Sequence, residues 1–395
     1  MTVRLYHSDP YLVAFAATVT DVQGDWVALD RTAFYPGGGG QEADRGTMAG
    51  RPVIEVKQQG EEVLHRVPGH GLSVGEEVEG VVDWNRRSDL MRGHSGEHLL
   101  FSQLRKHRPD LELVKIAITP EKKSFMVRGS LDWETVERAE RDVLDAIEQD
   151  LPISACEVTR DDPLLAAARV KMDRIHGETV RVVRIGDIDQ AACAGIHIVR
   201  TGELGMVLVT KFTSAKPAAD HEVEFEVGAR AKARALELST ASLRAAEAVG
   251  SRPQDLLGAL DNLMRERARQ EAALRQYGAK ALSELTPSIV KGVLLYSGLF
   301  ESMDKKTLLD AAARLVDQGA CCVLGATGER FMLVVACPVQ VKVDCAAILN
   351  STLGPLGGKG GGRPQFATGG LQDPAKAEEA MVAAIVSMRR ALEES

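Results

Sequence analysis

Arg92-Gly-His94-Ser95-Gly96-Glu97-His98-Leu99-Leu100 sets the reading of this 395-residue chain. Leu99, Leu100 and Leu104 continue an apolar stripe, which predicts a helix with Ser95 and Gly96 near its beginning. On such a helix His94 and His98 leave the same face about 5–6 Å apart at Cβ, so one metal ion can meet both. A second run, Cys193-Ala-Gly-Ile-His197, repeats the four-residue separation with a thiol and an imidazole. Gly195 and the β-branched Ile196, Ile198 and Val199 predict a turn or strand edge there rather than a helix. Three imidazoles and one thiol form a ligand set suited to Zn²⁺.

Two histidines on one helix are ordinarily a polar surface pair. The Cys193/His197 partner changes that weighting, because the chain has only nine His and six Cys from which to draw two such pairs. A competing pattern is present: His94-Ser-Gly-Glu97-His98 spells the HxxEH of inverted zinc peptidases, in which the glutamate is the general base. That reading needs a distant carboxylate as third ligand and leaves Cys193 and His197 without a role. On a helix Glu97 itself is expected to face solvent.

The length predicts two to four domains. Apolar content of 45% and charged content of 26% are those of an ordinary globular protein. No run approaches the roughly 18 apolar residues of a membrane helix, and the N-terminus lacks a signal-peptide core, so a cytoplasmic protein without membrane partners is expected. The cysteines, two of them adjacent at Cys321 and Cys322, do not form a disulfide framework and are expected to be reduced core residues, Cys193 excepted. A net charge of −8 argues against general nucleic-acid binding. Locally the balance reverses: from Asp83 to Arg128 there are ten Lys and Arg against six acids. A polyanion would be drawn to the histidines while the remaining surface stays acidic.

Residues 1–85 read as short strands between Gly and Asp turns, a small β-barrel-like module. Within it Phe34-Tyr-Pro-Gly37-Gly38-Gly39-Gly40-Gln41 offers bare backbone to a ligand. Residues 86–225 read as an antiparallel sheet with helices, an α+β domain whose elements include a helix from Trp133 capped by Asp132, a short helix from Asp162 to about Val170, and strands at Thr179–Ile185 and His197–Val199. His176 falls in a loop. Residues 226–286 are rich in Ala, Leu, Arg, Glu and Gln and read as a helical hairpin, with Ser251 and Gln254 spaced as a capping box and Leu256, Leu260, Leu263, Leu274 and Tyr277 along one stripe. Residues 287–395 read as an α/β domain. It contains Gly357-Gly-Lys359-Gly-Gly-Gly-Arg363-Pro364, a Gly-rich turn that lacks the Ser or Thr of a Walker loop but carries two cations suited to phosphate.

Taken in order, Phe34 to Gln41, His94 to His98, and Cys193 to His197 followed by Thr201-Gly-Glu-Leu-Gly205 resemble the editing domain of alanyl-tRNA synthetases and of the free-standing AlaX-type editing proteins. The Gly357–Gly370 stretch is similar to the DHH-associated domain that ends those synthetases, so the layout looks like the long AlaX form over nearly the whole chain. The resemblance implies hydrolysis, in trans and without ATP, of serine or glycine wrongly esterified to the alanine tRNA. It implies one Zn²⁺ on His94, His98, Cys193 and His197, an amino-acid pocket formed by Gly37, Gly38, Gly39, Gly40 and Gln41, Ser95 and Glu97 as candidate catalytic groups, and Lys359 and Arg363 on the tRNA. Independently of the resemblance, the helical arm or the C-terminal domain is expected as a candidate homodimer seam.

The family often has Thr where this chain has Ser95, and Cys-Gly-Gly-Thr-His where it has Cys-Ala-Gly-Ile-His, so exclusion of cognate alanine is expected to differ. Two rival functions stay open on sequence: the peptidase, and a non-catalytic tRNA-binding protein with a structural zinc.

Overall fold

The computed structural model describes residues 1–170 and 178–395. The chain divides into two compact units, Met1–Arg244 and Ala245–Ser395, and the whole is α+β with mainly antiparallel sheets.

The first unit opens with a seven-stranded sheet whose edge strands are Arg51–Val53 and Glu55–Gln59. Only Ile54 separates those two edges in the chain, so the sheet curls into a nearly closed barrel. Alternating residues of Ala14–Gln23 and Glu77–Val82 point inward, and Phe15, Val19, Val27, Phe34, Val63 and Val78 fill the interior.

The helix Trp84–His107 follows, capped by the Asp83 carboxylate, which accepts from Arg86 N at 3.2 Å. It begins ten residues before His94, so Ser95 and Gly96 lie mid-helix rather than near its start. The helix is buried almost all round, and Gly96 permits this: a Cβ there would stand 2.9 Å from Val227 Cγ1. A four-stranded antiparallel sheet, in the order Glu112–Ile118, Lys123–Arg128, His221–Val227, Val207–Ser214, packs against it. Leu100, Phe101, Phe125 and Phe225 join there with Val136 and Val143 of the helix Trp133–Glu148, which Asp132 caps as expected. The strands Ile153–Thr159, Thr179–Ile185 and Asp189–Ala192 form a smaller antiparallel sheet. The short helix opened by Asp162 ends at Ala167, and His176 lies outside the described residues.

In the second unit a six-stranded mixed sheet runs Ser288–Val290, Val293–Glu301, Cys321–Thr327, Phe331–Ala336, Phe366–Leu371, Lys359–Arg363. The parallel pair, Val293–Glu301 with Cys321–Thr327, is joined through the helix Lys305–Asp317. Lys359–Arg363 was expected as a turn and is instead an exposed edge strand. Glycine extends as readily as it turns, and pairing with Phe366–Leu371 supplies the hydrogen bonds that settle the choice. The capping box is absent: Ser251 Oγ has no partner, and Pro253–Asp255 forms a 3-10 turn before the helix Leu256–Ser283. All six cysteines are free; Cys321, Cys322, Cys337 and Cys345 are buried, whereas Cys156 is exposed. No helix among the described residues is long and apolar enough to cross a membrane.

Candidate metal centre

His94, His98, Cys193 and His197 converge in the first unit, each offering a ligand atom within 4.8 Å of all the others. Cys193 Sγ lies 3.5 Å from Nε2 of both His94 and His197. That is roughly the separation of two ligand atoms when Zn–S of about 2.3 Å and Zn–N of about 2.0–2.1 Å meet at a tetrahedral angle. The distances therefore fit the edges of a coordination tetrahedron.

The other nitrogen of each ring decides which atom is free for a metal. His94 Nδ1 is 2.8 Å from Gln41 Oε1, His98 Nδ1 is 3.1 Å from Asp189 Oδ2, and His197 Nδ1 is 3.1 Å from Ser95 Oγ. Gln41 Oε1 and the Asp189 carboxylate can only accept, so His94 and His98 donate from Nδ1, whereas the Ser95 hydroxyl accepts from Ile198 N and shares its bond to His197 Nδ1 in either direction. Nδ1 of His94 and of His98 is thus turned outward to its acceptor, and the Nε2 of each ring faces the centre, free to ligate once its own proton is lost. The donors fit zinc.

Electrostatics agree. Burial opposes ionisation of Cys193, but positive charge at His94 and His98 overrides it and holds the thiol well below its usual range. Gly195 N donates to the sulfur at 3.3 Å. Burial likewise opposes charge on Asp189, yet the bonds from His98 and the two-pronged Arg169 keep it well below the usual carboxylate range.

The ligand run Cys193–Val199 was expected partly as a strand and is held without one. Arg181 Nη1 donates to the carbonyls of Cys193 and Gly195 at 2.9 and 2.7 Å, and His7 Nε2 reaches that of Ala194 at 3.2 Å. Val199 N donates to Tyr11 Oη, which donates in turn to Glu203 at 2.7 Å. Glu203 belongs to the Thr201–Gly205 motif, so that motif ties the ligand run to the N-terminal segment. Ile196 and Ile198 sink into the core on either side of His197. The isoleucine that departs from the family pattern is thus a buried core residue directly before His197.

A cavity of about 1310 Å³ opens over the centre, with Gly39, Gly40, His94, His98 and Cys193 on its wall. Gly37 to Gly40 all adopt positive φ, and a Cβ on Gly40 would meet Ile116 at 2.6 Å. Glu97 also lines the cavity. It is fully buried rather than solvent-facing, because the helix is enclosed on every side, and neither carboxylate oxygen has a hydrogen-bond partner. Burial raises its pKa. Gln41 Nε2 is buried without an acceptor. Ser95 is fully buried, off the cavity wall, with its oxygen given to His197 and Ile198. Lys359 and Arg363 lie in the second unit, exposed on the edge strand.

Sequence reasoning missed Asp189, Arg169, Arg181, His7 and Tyr11. Asp189 had a signal: it stands four residues before Cys193, and a metal-bound histidine commonly donates its second N–H to a carboxylate. The peptidase pattern requires a carboxylate ligand in the place that Cys193 and His197 fill.

A family model described as tRNA synthetases class II (A) matches residues 11–86, and one described as threonyl and alanyl tRNA synthetase second additional domain matches residues 180–218. The alanyl-tRNA editing protein AlaX-L of Pyrococcus horikoshii is 29% identical over 413 residues, covering 100% of each chain. The alanine tRNA ligase of Ignicoccus hospitalis is 33% identical over 297 residues, covering 72% of this chain and 32% of the ligase, so the chain spans about a third of that relative. Among solved structures, the C-Ala domain from Aquifex aeolicus alanyl-tRNA synthetase aligns with 28% of this chain and 99% of that one at 23% identity and a TM-score of 0.25, a likeness that carries no argument. The chain is thus similar along its full length to AlaX-L, and the two family models fall on the barrel-like sheet and on the segment bearing Cys193 and His197.

Proposed function

We propose that this protein hydrolyses the ester joining serine or glycine to the alanine tRNA, in trans and without ATP, with one Zn²⁺ held by His94, His98, Cys193 and His197. The observation that supports this best is the convergence of four donor side chains, three of them (His94, His98 and Cys193) on the wall of a cavity large enough for an aminoacylated nucleotide.

An aminoacyl ester is already activated, so its hydrolysis needs a placed water and stabilisation of the developing oxyanion. Zn²⁺, when bound, supplies Lewis-acid polarisation and lowers the pKa of a water. The protein supplies the rest. Gly39 and Gly40 let the substrate lie against bare backbone, while Gln41, behind the cavity wall, orients His94. Glu97 presents two carboxylate oxygens that no protein donor takes, available to hold water or the substrate's ammonium. Ser95 acts through His197 as a positioning residue. In the second unit, Lys359 and Arg363 are assigned to tRNA phosphates. Leu257, Leu263, Met264 and Tyr277 on the helix Leu256–Ser283 are the exposed apolar face that a second copy would cover.

Four protein ligands usually mark a closed, structural zinc, which favours the non-catalytic reading. Incubating zinc-replete protein with Ser-, Gly- and Ala-charged alanine tRNA separates the two. Release of serine or glycine with alanine spared is expected; binding with every ester intact would overturn the assignment. Cleaved peptides beside untouched tRNA would revive the peptidase.

A further inference from the structure

The helical face that carries His94 and His98 does not end there. Phe101 and Arg105 follow at steps of three and four residues, so all four side chains share one stripe, and all four line the same cavity. Arg105 stands seven residues beyond His98, about 10 Å along the axis.

Arg105 is also distinct in its surroundings. Among the cavity's cations, Arg169 is engaged by Asp189 and Arg181 by the carbonyls of Cys193 and Gly195. Arg128 sits across the strand ladder from Glu112, the cavity's second acid after Glu97. Arg105 has no ion pair or hydrogen bond among the described residues, and its Nε is buried without an acceptor. A guanidinium left in this state suits a ligand that brings oxygens with charge, and its planar fork matches phosphate. Lys115, on the neighbouring strand, adds positive charge to the same wall and has no acidic partner among the described residues.

We propose that Arg105 is a positioning residue that binds the phosphate of the 3′-terminal nucleotide of the aminoacylated RNA. The proposal rests on the deacylase reading above. The ester lies on the terminal ribose, so the first anionic group reached from the scissile bond is that nucleotide's own 5′-phosphate, one sugar away. With the ester at the His94/His98 end of the stripe, the phosphate falls toward Arg105. A cavity of about 1310 Å³ exceeds the roughly 300–1,000 Å³ of ordinary small-molecule sites and leaves room for a nucleotide beside the amino acid.

The test compares full-length, zinc-loaded wild type with Arg105→Gln and Arg105→Lys on two minimal esters, 3′-O-seryl-adenosine and its 5′-monophosphate. Wild type should show a KM lower by roughly ten- to a hundredfold for the phosphate-bearing ester. Arg105→Gln should bring the two KM values within about twofold at unchanged kcat, and Arg105→Lys should restore part of the preference. On Ser-charged alanine tRNA, the slope of log KM against log salt should fall by about 0.7 in Arg105→Gln, the loss of one single-strand phosphate contact. Equal KM values in wild type, or a preference and salt slope that survive Arg105→Gln, would overturn the assignment. Wild type that hydrolyses the charged tRNA but neither minimal ester leaves the salt slope to decide. No hydrolysis of any ester would instead sink the deacylase reading beneath it.

Discussion

Asp44 and Arg87 form an ion pair with neither side chain exposed. Arg87 Nε lies 2.9 and 3.0 Å from the two Asp44 oxygens, its Nη2 donates to Asp44 and Ala33 O, and its Nη1 to Pro10 O at 2.9 Å. Asp44 also accepts from Tyr35 N at 2.6 Å. The pair thereby clamps the base of the Gly37–Gln41 loop to the first turns of the helix that presents His94. Removing one partner leaves an uncompensated buried charge, so Arg87→Ala should destabilise the protein by about 3–5 kcal/mol. Replacing both residues by apolar ones of similar size should cost less than the sum of the single changes. All three tryptophans, Trp26, Trp84 and Trp133, lie in the first unit, so fluorescence in a urea titration reports the effect. A loss below about 1 kcal/mol would show that the clamp is dispensable.

Gly195 faces His94 with no room to spare. A Cβ at this position would lie 2.1 Å from His94 Cε1 and 3.0 Å from Gln41 Oε1. Both are held groups rather than free side-chain ends, so neither can step aside cheaply. Gly195→Ala should therefore push the His94 ring out of line and lower zinc content well below one per chain, while far-ultraviolet circular dichroism stays close to wild type. A full complement of zinc in the variant would mean that the centre does not depend on this contact.

The parts of this arrangement visible in the sequence are those with a fixed period. His94 and His98, four apart on a helix, share a face whatever surrounds them, and the same is true of the apolar stripe through Leu100 and Leu104. What the period cannot say is how many other faces are covered. Glu97 was expected in solvent because one helix side normally is; here two sheets and a second helix pack around that helix. The orienting shell was harder still. Asp189, Gln41 and Ser95 each act on a histidine 53 to 102 residues away in the chain. Lys359 to Arg363 failed as a turn for a different reason: glycine has no local preference to read, and strand pairing chose for it.

Asp189 orients His98 and offsets its own burial through Arg169, which makes it the most sensitive member of the shell. Asp189→Asn keeps the shape but removes the charge that accepts from His98 and Arg169. Outer-shell partners of this kind typically account for about 10- to 100-fold in metal affinity. Competition for Zn²⁺ against a chromophoric chelator should show the variant weaker by a factor in that range. An unchanged affinity would place the control of the centre elsewhere.

His65 supplies a pH dependence separate from the metal centre. It is buried in the barrel, with Nδ1 3.0 Å from Val27 O and Nε2 2.9 Å from Thr32 Oγ1. The carbonyl can only accept, so Nδ1 carries the proton and Nε2 accepts from the Thr32 hydroxyl. Burial pushes its pKa down from 6.5 to about 4. Between those values the unfolded chain binds a proton that the native protein refuses. The stabilisation from neutral His65 is therefore complete above pH 6.5 and is lost as the pH falls toward 4, for a total of about 3 kcal/mol. His65→Gln keeps a donor and an acceptor but does not titrate. Over pH 6.5 to 4.5, wild type should lose about 1 kcal/mol per pH unit more than His65→Gln in urea unfolding followed by tryptophan fluorescence. The imidazoles of the metal centre titrate in both proteins and cancel in the difference, so parallel stability curves would mean that His65 is already protonated in the native barrel.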